Sequence, residues 1–258
     1  MVFAIKKFLA AYLDLYPLTR SMRENYSFTR SIVNGKMAVY KLSERIHLLV
    51  RPNVIDLDVL KSTFLEKYHR CPFQLPAAAV IVDIGSNVGY TLADFRMQYP
   101  DARLIGVELD KENFLQLQEN VRELGRCSVL NAGVWKTDGV INYSGKDAQS
   151  FNINPQSKEG ATAEAITMDS LFSRFNIETA DYVKMDIEGA EEEIFFGSDF
   201  QKWLAKVRYM SIEVHDTEKH SNAELRQKIK TAIEAAGFFV MQSSVHWSSL
   251  VAVNKQML

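Results

Sequence analysis

Apolar and polar positions along the chain change rhythm near residue 76. Before it the pattern is mixed. Residues 1–17 are apolar but interrupted by Lys6, Lys7 and Asp14, which predicts an amphipathic helix ending before Pro17. Lys36–Leu42 and Arg45–Val50 alternate as two short strands, and the two residues between them, Ser43 and Glu44, predict a hairpin. Arg51-Pro-Asn53 ends the second strand. Asp56-Leu-Asp58 then opens a helix over 59–68, with Leu60, Phe64 and Leu65 on one face. Cys71 to Pro76 is a proline-containing joint.

After the joint the pattern becomes a βα alternation. Ala79–Asp83 is fully apolar up to its last residue, as strands buried on both faces of a parallel sheet are. Leu104–Glu108, Ser128–Asn131, Tyr182–Asp186 and Tyr209–Val214 follow as further strands, with helices at Lys111–Leu124 and from Glu188 to Phe196. Repeated βα units predict an α/β, Rossmann-like, doubly wound and mostly parallel sheet. The end departs from that rhythm. A helix from Asn222 to Ala236 stops at Gly237, and Phe238–Gln242 and Ser249–Asn254 are joined by a short loop, which makes them antiparallel. We therefore expect residues 1–76 to form an N-terminal extension of helix, hairpin and helix, and residues 77–258 to form the ligand-binding domain.

Composition narrows the function classes. The net charge is -2 with both signs interspersed, so no electrostatic footprint for nucleic acid is expected. The two cysteines, Cys71 and Cys127, form no CxxC and no metal pattern, and read as reduced thiols of a cytoplasmic protein. The N-terminal helix is too interrupted to span a bilayer and lacks a cleavage site. Its expected role is packing on the domain or on a second subunit, and membrane-surface contact is the alternative.

The first strand of the alternation runs into Asp83-Ile-Gly85-Ser86-Asn87-Val-Gly89. A glycine turn at the carboxyl edge of a doubly wound sheet lets backbone approach a ligand. Residue 87 is Asn where a dinucleotide site needs glycine beside the pyrophosphate, which counts against a nicotinamide-dependent oxidoreductase, the runner-up enzyme class. Glu108 ends the second strand about twenty residues on, placed to accept hydrogen bonds from both ribose hydroxyls. A parallel sheet finished by an antiparallel hairpin is the addition that class I methyltransferases make to the Rossmann plan. Turn, acid and hairpin together predict S-adenosylmethionine, with S-adenosylhomocysteine as product. The expected cofactor residues are Asp83, Gly85, Ser86, Asn87, Gly89, Glu108, Asn131 and Asp186. A branched side chain at Gly85 is expected to fill ligand space and leave the protein folded. A non-catalytic protein that keeps the fold is the third class weighed.

Several segments in order resemble the FkbM family of methyltransferases. They are Arg51–Leu60 with its helix, Val82–Tyr90, Val107–Asp110 with Asn113, Phe114 and Asn120, Thr167–Leu171, Asp181–Glu191 and Ile212–His215. The likeness spans roughly residues 50 to 240. Leu109 stands where that family usually has Pro, and Asn53-Val-Ile55 where it usually has Gly-Thr-Ser. The resemblance implies methyl transfer to a hydroxyl oxygen of a small molecule or sugar.

Asp186, Glu213 and His215 are the catalytic candidates. They close two strands that face the same crevice as the glycine turn, and Glu213 and His215, two apart, share a side. His215 is expected to take the acceptor proton with the carboxylates orienting it. The same trio also suits a divalent metal. Lys184, inside a buried strand, needs a partner, expected to be Glu191 or Glu213. Asp169 is read as a helix cap, and His69, His220 and His246 as surface or packing residues.

Overall fold

The computed structural model describes residues 2–19, 21–147, 150–153, 160–187, 189–197, 200–217 and 219–258. Helix α1 (Val2–Leu15) packs on α2 (Met22–Val33), and Asn25 donates across to the Tyr12 carbonyl at 2.8 Å. Helix α2 was not legible in the sequence, because the residues it buries include Asn25 and Thr29 beside Phe28. Its start is set by Ser21, whose hydroxyl accepts from the Glu24 N–H at 3.2 Å. The outward side of this pair leaves Leu13 and Met22 exposed, at 65% and 70%.

Strands β1 (Ala38–Lys41) and β2 (His47–Val50) form the antiparallel hairpin. Helix α3 (Val54–Lys61) starts earlier than periodicity suggested. The reason is a cap: Asn53 Oδ1 accepts from the Asp56 N–H at 2.7 Å. The helix then runs into one π-helical turn, Ser62–Glu66, closed by Lys67 in the left-handed region at φ 60°.

The alternation follows as β3 (Val80–Ile84), α4 (Tyr90–Gln98), β4 (Arg103–Glu108), α5 (Lys111–Val121) and β5 (Cys127–Asn131). Next come β6 (Gly133–Val134), β7 (Gly139–Asp147), β8 (Ser150–Ile153) and β9 (Ala161–Ile166), which make a separate four-stranded sheet in the order β6-β9-β7-β8. Sequence periodicity did not reveal this insertion; β9, for example, is exposed over much of its length. After it run α6 (Met168–Arg174), β10 (Ala180–Met185), α7 (Glu191–Phe195), α8 (Phe200–Leu204), β11 (Val207–Glu213), α9 (Asn222–Ala235), β12 (Phe238–Gln242) and β13 (Ser249–Asn254). Thr167, not Asp169, caps α6, accepting from the Ser170 N–H at 3.2 Å. The helix expected from Glu188 begins at Glu191, and residue 188 lies outside the described residues.

The main sheet has the order β12-β13-β11-β10-β3-β4-β5. It is Rossmann-like and doubly wound. Strands β5, β4, β3, β10 and β11 are parallel, and β13 is antiparallel to both its neighbours, inserted between β11 and β12. Alternation along each strand sends side chains to two cores. Val82, Ile105, Val183 and Ile212 face α6, α8 and α9. Ile81, Leu104 and Tyr182 face α4 and α5, and the same cluster takes in Leu15, Phe28, Leu48 and Leu60 from the N-terminal extension. The extension is thus built into one face of the sheet. Asn120 of α5 ties it down by pairing with both backbone groups of Leu49, at 2.7 Å and 3.3 Å. Among the described residues no helix is long and apolar enough to cross a membrane.

Candidate functional site

At the carboxyl edge of the sheet lies a cleft of about 310 Å³. Its floor is the turn after β3. Gly85 sits at φ 79°, where a side chain is strained, and an added Cβ would run into the Asp186 carbonyl oxygen on the neighbouring strand end. The glycine therefore lets two strand ends touch, and a bulky residue there would part them. A branched side chain at 85, expected to fill ligand space and leave the protein folded, would also collide with the backbone at the end of the neighbouring strand. Gly89, at φ 87°, faces α5 instead, and a Cβ there would stand 2.6 Å from Leu117 Cδ1.

Gly85, Ser86, Asn87, Glu108 and Asp186 line the cleft; Asp83, Gly89 and Asn131 do not. Asp83 lies beneath the turn, where its carboxylate accepts from the Thr91 hydroxyl and faces Lys184 Nζ at 3.5 Å. Asn131 donates to the carbonyls of Glu108 and Leu109, both at 2.9 Å, so it holds the strand end, and Ala132, Gly133 and Val134 form the wall. These three residues were expected at the ligand and support those that face it.

Glu108 is held by backbone. Its Oε2 accepts from the Asn87 N–H at 2.8 Å and its Oε1 from the Asp110 N–H at 2.9 Å. Burial pushes its carboxyl up to about 7, against the pull of those two N–H groups.

Lys184 is buried, and its partners differ from those expected. Its ammonium donates to Asp186 Oδ2 at 3.1 Å and to the Gly85 carbonyl at 3.2 Å, and lies 5.7 Å from the centre of the Tyr68 ring. Burial opposes its charge, but Asp186, Tyr68 and Asp83 outweigh burial and hold its pKa well above the ordinary value. Burial likewise opposes charge on Asp186, yet Lys184 and then His215 bring that carboxyl below its usual range. Glu213 moves the other way, raised by burial and by the charge of Asp186.

The structure brings Asp186, Glu213 and His215 together. His215 Nε2 lies 3.7 Å from an oxygen of each carboxylate, and its Nδ1 pairs at 2.7 Å with Glu191, which is fully buried. One ligand atom from each of the trio falls within 4.8 Å of the others, a spacing that a cation would tolerate. Of the three, Asp186 and Glu213 line the cleft and His215 does not.

Sequence reasoning missed part of the wall. Asp58, Ser62, Glu66 and Tyr68, from α3 and the π-turn region, face the turn across the cleft, and His246 reaches it from the β12–β13 loop. No local pattern marks these residues, since each arrives from an element distant in sequence. His69 and His220 have partners too: His69 is buried on Asp94 at 2.9 Å, and His220 lies 3.2 Å from Glu192.

Residues 83–240 match the methyltransferase FkbM domain. The 2-O-methyltransferase NoeI of Sinorhizobium fredii is 24% identical over 54% of this chain and 64% of its own length. The hexuronic acid methyltransferase AglP of Haloferax volcanii is 27% identical over 53% of this chain and 56% of its own. The AMB antimetabolite synthetase AmbE of Pseudomonas aeruginosa is 24% identical over 68% of this chain. The chain spans only 10% of AmbE, and under two thirds of NoeI and AglP.

Proposed function

The chain belongs to the FkbM methyltransferase family, and we propose that it moves a methyl group from S-adenosylmethionine to a hydroxyl oxygen of a small-molecule or sugar acceptor. The observation that carries the donor is Glu108 at the end of β4, fixed at the cleft by two backbone N–H groups. The Asn113 side chain also hydrogen-bonds this carboxylate, and the acceptor capacity that remains faces the cleft, where it suits a ribose hydroxyl. The donor set fits the rest of that cofactor. Val107, Leu109, Ala132 and Val134 offer apolar wall for a flat base. Asp58, Glu66, Glu108, Asp186 and Glu213 line the cleft against one lysine, a balance that favours a cationic sulfonium ligand. When bound, that sulfonium supplies an activated methyl group.

On the acceptor side, Asp186 and Glu213, at the two strand ends, would accept hydrogen bonds from hydroxyls that flank the reacting one. His215, held by Glu191, would keep both carboxylates in place. Transfer from a sulfonium depends mainly on aligning the oxygen, so positioning carries much of the rate. The names of two relatives, a 2-O-methyltransferase and a hexuronic acid methyltransferase, support oxygen and a sugar as the acceptor's chemistry.

Two measurements test this reading. S-adenosylhomocysteine should raise the melting temperature and NAD should not; stabilisation by NAD alone would sink it. A panel of hydroxylated acceptors, assayed by mass for one added methyl group, should then yield a product. In this reading no step needs a metal, so EDTA should leave turnover unchanged.

A further inference from the structure

The loop between β12 and β13 brings an imidazole to the cleft that the strand-end cluster does not account for. His246 lines the same cavity as Gly85, Glu108, Asp186 and Glu213. Its ring packs on Tyr68 with centroids 5.9 Å apart. Its Nδ1 lies 2.9 Å from Ser248 Oγ and 3.2 Å from Ser249 Oγ. Ser248 Oγ donates in turn to Glu213 Oε1 at 3.2 Å.

That chain of contacts selects a tautomer. A serine hydroxyl has one proton to give. A carboxylate is a stronger acceptor than a neutral ring nitrogen, so Ser248 gives its proton to Glu213. The Ser248 oxygen is then an acceptor toward His246, and Nδ1 is the ring nitrogen that carries hydrogen. Glu213 Oε1, 3.6 Å from Nδ1, favours the same arrangement by charge. In the neutral ring the basic lone pair is left on Nε2.

We propose that His246 Nε2 takes the proton of the acceptor hydroxyl, with Ser248 and Glu213 orienting the ring. This rests on the reading of the cleft as a hydroxyl methylation site. As the O–CH3 bond forms, the C–S bond of the sulfonium donor breaks and its electron pair stays on sulfur. The donor becomes a thioether, and the hydroxyl proton ends on Nε2. Asp186 is less suited to receive that proton, because Lys184 and His215 hold it ionised. The other groups around the ring are accounted for. Tyr68 lies against it at a tilt of 53°, Glu213 at the end of β11 and Asp186 just past β10 face it, and Lys184 lies over the Tyr68 ring. Arg226 of α9 is turned to Gln242 at 3.0 Å, and Gln242 reaches the His246 carbonyl at 3.3 Å.

The test compares wild type with His246→Asn and His246→Ala on an acceptor that wild type methylates. Asn keeps an N–H for Ser248 but has no basic nitrogen. Turnover should fall about a hundredfold or more in both variants. Calorimetric affinity for S-adenosylhomocysteine and the melting temperature should stay close to wild type. The acid limb of the pH–rate profile should disappear in His246→Ala, and added imidazole should restore part of its rate. A His246→Asn enzyme as fast as wild type overturns the proposal. So does a slow His246→Ala enzyme whose pH profile is unmoved and which imidazole does not rescue, as does turnover lost together with cofactor affinity. If wild type methylates no hydroxyl acceptor while binding S-adenosylhomocysteine, the underlying reading fails and the proposal falls with it; an active wild type beside an active His246→Asn sinks the proposal alone.

Discussion

At Glu108 the N–H groups of Asn87 and Asp110 favour the ionised carboxylate, while burial favours the neutral acid and wins, at about 7. The raised value means that the folded, ligand-free protein gains from this group in acid and loses that contribution as pH rises through about 7. A ribose diol needs the ionised form. S-adenosylhomocysteine affinity should therefore weaken below pH 7, approaching about tenfold per pH unit, and Glu108→Gln should flatten the dependence. Glu108→Ala removes hydrogen bonds to a charged group, each worth roughly 1.5–3 kcal/mol, so calorimetry should find affinity at least about tenfold weaker. Lys184 makes a different prediction. Lys184→Met leaves Asp83 and Asp186 without their buried cation and should cost about 3–5 kcal/mol in urea unfolding. Adding Asp83→Asn should recover part of that loss. The sequence marked Lys184 as a lysine in need of a partner and pointed to Glu191 or Glu213, but the carboxylates it reaches are Asp186 and Asp83, because strand register decides: Lys184 lies opposite Asp83 in the β10–β3 pairing.

Elements decide what single residues cannot. The turn after β3 works because Gly85 lets it rest on the end of β10. Gly85→Ala adds left-handed strain of roughly 1–3 kcal/mol and a collision with the Asp186 carbonyl. Melting temperature and S-adenosylhomocysteine binding should drop together; loss of binding with an unshifted melting temperature would show that position 85 matters only to ligand. Asn53 sets where α3 begins, and through α3 the place of Asp58, Ser62 and Glu66 on the cleft wall. Asn53→Ala should cost about 1 kcal/mol, read as lost hydrogen-exchange protection in the first turn of α3. Sequence periodicity found the hairpin of β1 and β2 and every strand of the main sheet. It misplaced the start of α3, because the Asn53 cap, well ahead of the apolar face that begins at Leu60, sets where the helix starts.

On the scale of the whole molecule, the N-terminal extension and one face of the sheet share a single apolar cluster. Leu48 from the hairpin and Leu104 from β4 are both fully buried in it. We therefore expect one cooperative unfolding transition, not two, although residues 1–76 and 77–258 read as distinct segments. Leu48→Ala should cost about 2–5 kcal/mol and shift that one transition as a unit; a separate early transition for the extension would contradict the shared core. The same joining explains the cleft, whose floor belongs to the sheet and whose opposite wall belongs to the extension.

By itself the sequence determined what is local or periodic. Runs of apolar residues define strands buried on both faces, the spacing from Gly85 to Glu108 defines a turn and an acid at adjacent strand ends, and the short loop before Ser249 requires an antiparallel pair. Each of these follows from the backbone geometry of a few consecutive residues. Only the tertiary structure decided which side chains face the cleft. Asp83, Gly89 and Asn131 sit in the motif segments yet turn toward Thr91, Leu117 and the β4 backbone, whereas Tyr68 and His246, from opposite ends of the chain, converge on Asp186 and Glu213. Strand register and the packing of the extension set those directions, and both depend on contacts between residues far apart in sequence. The last strand shows the same division. Its antiparallel sense follows from a short loop, but its place between β11 and β12 follows from the open edge of β11, which it pairs from Tyr209 to Glu213.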